Sequence, residues 1–76
     1  MKNKLHPQHD WLPVLGEVVD VRQGDETVRT GIVDGVTPDN KILWISADGA
    51  ETRTMYQRSD GYSVWIEYKW ERASAL

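Results

Sequence analysis

Turn-forming residues cut this chain into pieces too short for helices. Gly24-Asp25, Pro38-Asp39-Asn40, Asp48-Gly49 and Asp60-Gly61 recur along it. Proline presets φ for a turn, glycine supplies positive φ, and Asp and Asn tolerate turn geometry. The stretches between are rich in Val, Ile, Thr, Tyr and Trp, and their apolar residues alternate as in strands. The spacing predicts strands over residues 14–22, 27–37, 41–47, 50–57 and 62–70, with 71–76 a frayed end or one helical turn. Gly31 and Gly35 interrupt the second strand, where glycine marks a bulge or sharp bend.

Five short strands with tight turns, and no segment of helical periodicity, read as an all-β fold: a five-stranded antiparallel small barrel. The glycine bends serve it, because a five-stranded sheet must curve strongly to close. At 76 residues the chain has room for one domain and a modest core. Residues 14–76 form that domain. Leu15, Val19, Val21, Val28, Ile32, Val64 and Ile66 fall in the expected inward phases, each contributing about 1.5–3 kcal/mol if fully buried. Val36, Tyr62, Tyr68 and Trp70 share those phases. Residues 1–13 hold Pro7, Pro13 and both histidines. They read as a partly mobile N-terminal arm whose Trp11 and Leu12 pack onto the body.

The segment Gly16-Glu17-Val18-Val19-Asp20-Val21, a short turn, then Arg29-Thr30-Gly31-Ile32-Val33-Asp34 resembles the opening hairpin of SH3-like barrels of the Tudor and KOW kind. The resemblance spans residues 14–68. It implies a small barrel that binds peptides, modified side chains or nucleic acid, and it brings no catalytic motif.

Composition narrows the function classes. The absence of cysteine excludes disulfides, thiolate metal sites and cysteine nucleophiles, and suits a reducing, cytoplasmic setting. A net charge of −3 argues against non-specific nucleic-acid binding. Apolar runs are too short to span a membrane, and the start MKNKLHPQHD lacks the apolar centre of a secretory signal. No nucleophile elbow, zincin motif or phosphate-cradling loop is present. His6 and His9 lie in the arm, away from Ser46, Ser59, Ser63 and Ser74, so the chain reads as a non-enzyme. His6, His9 and Asp10 have ligand chemistry for a metal, but Pro7 disfavours a helix there and no second ligand cluster accompanies them. They read as solvated, and no cofactor is expected. Between Glu17 and Asp39 stand six acids and two arginines, a balance of −4, without a calcium-loop pattern. That is either a solvated face or a surface that attracts an arginine- or lysine-rich peptide.

Four tryptophans and three tyrosines, with no phenylalanine, carry the main functional signal, because both rings suit interfaces as well as cores. Trp11, Tyr62 and Tyr68 are expected to close barrel ends. An Asp48-Gly49 turn would pair Ala47 with Ala50, Ile45 with Thr52, Trp44 with Arg53 and Ile42 with Met55. Leu43, Ile45, Thr52 and Thr54 then face the core. Ile42, Trp44, Arg53 and Met55 face outward, with Trp44 stacked on Arg53. Trp65 falls in the polar phase of the last strand with Glu67.

Two outward tryptophans need covering by the arm, by a second copy of the chain or by a ligand. The reading that follows is a non-enzymatic interaction module. It binds a peptide or protein partner, or a second copy in a homodimer, through Trp44, Trp65, Arg53, Met55 and Ile42. The alternative is a small-barrel nucleic-acid binder. Bases would stack on Trp44, Trp65 or Tyr56, and Arg53, Arg58, Lys41 and Lys69 would meet phosphates.

Overall fold

A computed structural model describes residues 4–67. The chain folds as β1 (His6–Pro7), a 3-10 turn (Leu12–Val14), β2 (Val18–Gln23), β3 (Glu26–Val36), β4 (Ile42–Ile45), β5 (Thr54–Gln57), a second 3-10 turn (Arg58–Asp60) and β6 (Tyr62–Ile66). All pairings are antiparallel, in the order β1-β6-β2-β3-β4-β5. The all-β antiparallel expectation holds. The sheet has six strands rather than five, because two residues of the arm pair with β6. It is also open, since no ladder among the described residues joins β5 to β1. The extension of the last strand to residue 70, with Tyr68, Lys69 and Trp70, and the end at 71–76 lie outside the described residues.

The core contains Trp11, Val14, Val19, Val21, Val33, Leu43, Ile45, Tyr56 and Val64, with Val36, Tyr62 and Ile66 packed against it. Four expected core residues lie outside, one of them Thr52, which is exposed because β5 begins only at Thr54. Leu15 is exposed because the chain makes a 3-10 turn over Leu12–Val14, which buries Val14 instead and delays the strand to Val18. Val28 and Ile32 are exposed because β3 inverts the expected phase. Its inward residues are Arg29, Gly31 and Val33.

The inversion has a local cause. The β2–β3 register jumps from Val21↔Arg29 to Arg22↔Thr27, so Val28 is the extra residue of a bulge and leaves the alternation. A second irregularity, between Val33↔Ile45 and Gly35↔Trp44, skips Asp34 and restores Val36 to the inner face opposite Leu43. The bulges therefore fall at Val28 and Asp34, while Gly31 pairs regularly with Val19. Gly31 serves a close approach: a Cβ there would lie 2.7 Å from Ile45 Cγ2. Arg29 is buried among the core strands. Its guanidinium donates to the Ser46 carbonyl at 2.9 Å and to Thr54 Oγ1 at 3.2 Å, which offsets the cost of removing it from water.

The β4–β5 hairpin turns one residue later than expected. Asp48 and Glu51 exchange both backbone hydrogen bonds, so the loop is Gly49-Ala50. Gly49 has φ +59, and Ala50 is not among the positive-φ residues. Positive φ at the first central position only is the type II′ pattern, which places glycine there. The register becomes Trp44↔Met55 and Ile45↔Thr54 instead of Trp44↔Arg53 and Ile45↔Thr52. A shift of two residues preserves sidedness. Leu43 and Ile45 point inward, while Ile42 and Trp44 stay on the outer side with Met55 and Arg53.

The arm's Trp11 is almost fully buried, but Leu12 is exposed. Trp11 N–H donates to Asn40 Oδ1 at 2.7 Å, and Gln8 N–H donates to the Val64 carbonyl at 2.7 Å. Residues 8–11 are thereby tied to both β6 and the turn before β4.

Candidate functional site

Trp44 comes from the middle of β4, where strand alternation turns it away from Leu43 and Ile45. Its seat is Gly35, its register partner on β3. A Cβ on Gly35 would lie 3.1 Å from Trp44 Cδ1, so the bare backbone there lets the indole lie close against the sheet. Arg53 covers the ring, with its guanidinium carbon 4.3 Å from the centroid. Arg53 Nε also donates to both Asp34 oxygens, at 3.0 and 3.1 Å. The bulge that removes Asp34 from the β3 alternation places this carboxylate beside Arg53. A guanidinium held by a carboxylate on one side and an aromatic face on the other is oriented by two contacts.

Met55, the register partner of Trp44, is exposed, and Ile42 is half-buried. Beyond Ile42 the outer face opens into a cleft of about 400 Å³, lined by Asp39, Lys41, Ile42, Gln57, Arg58 and Ser59. The Thr37 hydroxyl donates to Asp39 at 2.6 Å and accepts from the Ile42 N–H at 3.1 Å. The first of these bonds holds the Asp39 carboxyl below the usual carboxylate range. Ile42, Trp44, Arg53 and Met55 thus form one contiguous surface.

Trp65 is not part of it. It lies on β6, and β2 and β3 separate that strand from β4. Arg22 covers its ring, 4.2 Å from the centroid, and Trp65 Nε1 donates to Ser63 Oγ at 3.0 Å. Trp65 instead borders a groove of about 270 Å³ together with Leu5, Val18 and Glu67.

No protein-family model, curated protein or solved structure matches this chain.

Three roles at these sites escape a sequence reading. Asp34 fixes Arg53, but only a bulge brings it there. Arg22 covers Trp65 from the next strand. Arg58 stacks on Trp11 at 4.0 Å and donates to the His9 carbonyl at 2.6 Å and the Asn40 carbonyl at 3.0 Å. Only the Gly35–Trp44 pair carries a legible signal, since an aromatic residue often lies across a glycine on the neighbouring strand.

Every described tryptophan therefore carries a stacked arginine. Tyr56, named for base stacking, points into the core and packs edge-on against Tyr62, with centroids 4.9 Å apart. Among the described residues no three His, Asp or Glu side chains gather as a metal site, and no helix is long and apolar enough to cross a membrane.

Proposed function

We propose that this domain is a non-enzymatic interaction module that binds a peptide or protein partner, a second copy of the chain included, through the outer face of β4 and β5. The carrying observation is the preorganised Asp34–Arg53–Trp44 stack beside the exposed Met55. A rigid aromatic and an oriented arginine next to an adaptable methionine are the side chains enriched at binding surfaces. The cleft beyond Ile42, lined by Lys41 and Arg58 among others, gives a partner residue a place to insert.

The SH3-like resemblance belongs to the same reading. It is supported by an antiparallel all-β sheet in which the segment that carries the resemblance forms the β2–β3 hairpin. A cytoplasmic setting is the compartment that suits a cysteine-free chain.

The nucleic-acid alternative has less support. Tyr56 is inside, Arg53 is engaged by Asp34, and Arg58 is spent on backbone carbonyls and Trp11.

Selection of displayed random peptides on the wild-type domain tests the proposal. Enriched peptides should lose binding to a folded Met55→Asp variant, and sedimentation at two protein concentrations reads self-association by the same face. Peptides that bind both proteins equally, with no change in association state, would remove the β4–β5 face. A salt-dependent oligonucleotide signal would favour the alternative.

A further inference from the structure

The strand order β1-β6-β2-β3-β4-β5 leaves the sheet two edges, and they differ. In an antiparallel ladder successive residues turn their main-chain N–H and C=O groups alternately toward and away from the neighbouring strand. On β1, Gln8 N–H donates to the Val64 carbonyl at 2.7 Å and His6 pairs with Ile66. Pro7, between them, turns its main chain outward, and proline has no N–H to offer. Proline in this position blunts an edge against further pairing.

The β5 edge carries no such device. Arg58 N–H donates to the Lys41 carbonyl at 2.8 Å, one step beyond the register Ile42↔Gln57 and Leu43↔Tyr56. Arg58, Tyr56 and Thr54 thus bond toward β4, whereas Met55 and Gln57 turn their N–H and C=O groups away from the sheet. No described residue bonds the main chain of Met55 or Gln57, and both residues are exposed. Two donors and two acceptors at a two-residue spacing match the main chain of another extended segment. Residues directly opposite across a ladder share a face. A side chain opposite Met55 would lie against the methionine on the outer side. One opposite Gln57 would reach the cleft of about 400 Å³, whose exposed wall is mainly apolar. The strand has four residues, a length of about 14 Å. Pairing over that length falls well short of the ~1,200 Å² that a stable protein–protein interface buries, so the edge suits a peptide segment rather than a second copy.

Resting on the reading that the β4–β5 face binds a partner, we propose that the partner segment binds as an added antiparallel strand on β5. Two of its residues, two apart, exchange main-chain hydrogen bonds with Met55 and Gln57. Both carry apolar side chains, one against Met55 and one at the cleft.

The test uses the full chain and a fluorescein-labelled heptapeptide of alternating threonine and valine, with a lysine added at each end, read by anisotropy. Peptides N-methylated at every valine or at every threonine are its counterparts. In the proposed pairing valine directs its side chain to the outer face and its N–H to β5. Valine methylation should therefore weaken binding by about tenfold or more, on the scale of losing two main-chain hydrogen bonds. Threonine N–H groups face solvent, and their methylation should leave binding unchanged. Gln57→Pro deletes an edge donor but no ladder bond, at a residue whose backbone is already extended (φ −102°). It should keep its near-ultraviolet circular dichroism and bind about threefold or more weakly. Loss on methylating threonine, equal effects of the two methylations, or no binding of the parent peptide would overturn the proposal. A wild-type dimer dissociated by Gln57→Pro in sedimentation would overturn it in favour of a second copy. Binding lost in Met55→Asp but indifferent to methylation would leave the β4–β5 face standing and remove the edge pairing. Valine-selective binding undiminished in Met55→Asp would remove the face and support pairing at the edge.

Discussion

Gly31 lies against Ile45 so closely that a single added carbon would sit 2.7 Å from Ile45 Cγ2. Ile45 is fully buried, and Gly31 pairs with Val19 in the middle of the β2–β3 ladder. Relieving the contact means shifting either the middle of this ladder or a core side chain. Gly31→Ala should therefore destabilise the domain by about 1–3 kcal/mol, the usual cost of overpacking a core, as measured by urea unfolding. A double-mutant cycle with Ile45→Ala should show coupling of at least about 0.5 kcal/mol, because truncating Ile45 removes the clash. Additive effects would place the cost of Gly31→Ala elsewhere than in this contact.

Arg58 joins parts of the chain that share no ladder. From the turn before β6 it reaches the His9 carbonyl, the Asn40 carbonyl and the face of Trp11. Arg58→Ala removes charge-assisted bonds and a ring contact together, so it should cost about 1.5–3 kcal/mol. The loss should appear first in the arm. Amide exchange at Trp11, whose N–H donates to Asn40 Oδ1, should accelerate more than exchange in β2. Arg58→Lys should recover little, because an ammonium cannot span the carbonyls with a planar fork. Uniform acceleration across the sheet would mean that Arg58 supports the whole fold rather than pinning the arm.

These two contacts show how far the sequence reaches. The strands were visible because the turns between them use residues with few other conformational options. The outward placement of Trp44 was visible because Leu43 and Ile45 need the opposite face. That reading survived a wrong turn position, since the error shifted the register by two residues and sidedness repeats with a period of two. On β3 the same logic failed. Two bulges, at Val28 and Asp34, reset the alternation, and counting apolar residues favoured Val28 and Ile32 over a phase containing Arg29 and Gly31. Those two residues belong inside only because Ser46 and Thr54 receive the guanidinium and Ile45 fills the space a side chain would need. Such reasons depend on which strands become neighbours, which local pattern does not encode. The separation of Trp65 from Trp44 was hidden for the same reason: both are outward, but two strands lie between them.

Asp39 gives a pH prediction with a definite sign. Its carboxyl is held below the usual range chiefly by the Thr37 hydroxyl. A lowered folded-state pKa means that ionised Asp39 adds stability above its unfolded-state pKa, and that this contribution is lost as pH falls through the folded value. Thr37→Val removes the donor, so the Asp39 pKa should rise toward that of an unperturbed aspartate. Thr37→Ser keeps the hydroxyl and should leave it low. Side-chain NMR titration reads both. A low value in Thr37→Val would transfer the cause to the Lys41 backbone amide, which donates to Asp39 at 3.2 Å.

The inverted phase of β3 makes adjacent residues unequal in a way their hydrophobicity does not suggest. Val33 is almost fully buried opposite Ile45, whereas Ile32, the larger side chain, lies half in solvent opposite Val18. Val33→Ala should cost about 2 kcal/mol, from two methyl groups' worth of transfer energy plus the space left behind. Ile32→Thr replaces one β-branched residue by another on the open face and should stay within about 0.5 kcal/mol of wild type. Denaturant midpoints at unchanged slope measure both. The opposite ranking would return Ile32 to the interior. It would also undo the bulge at Val28 that puts Arg29 and Val33 on the inner face.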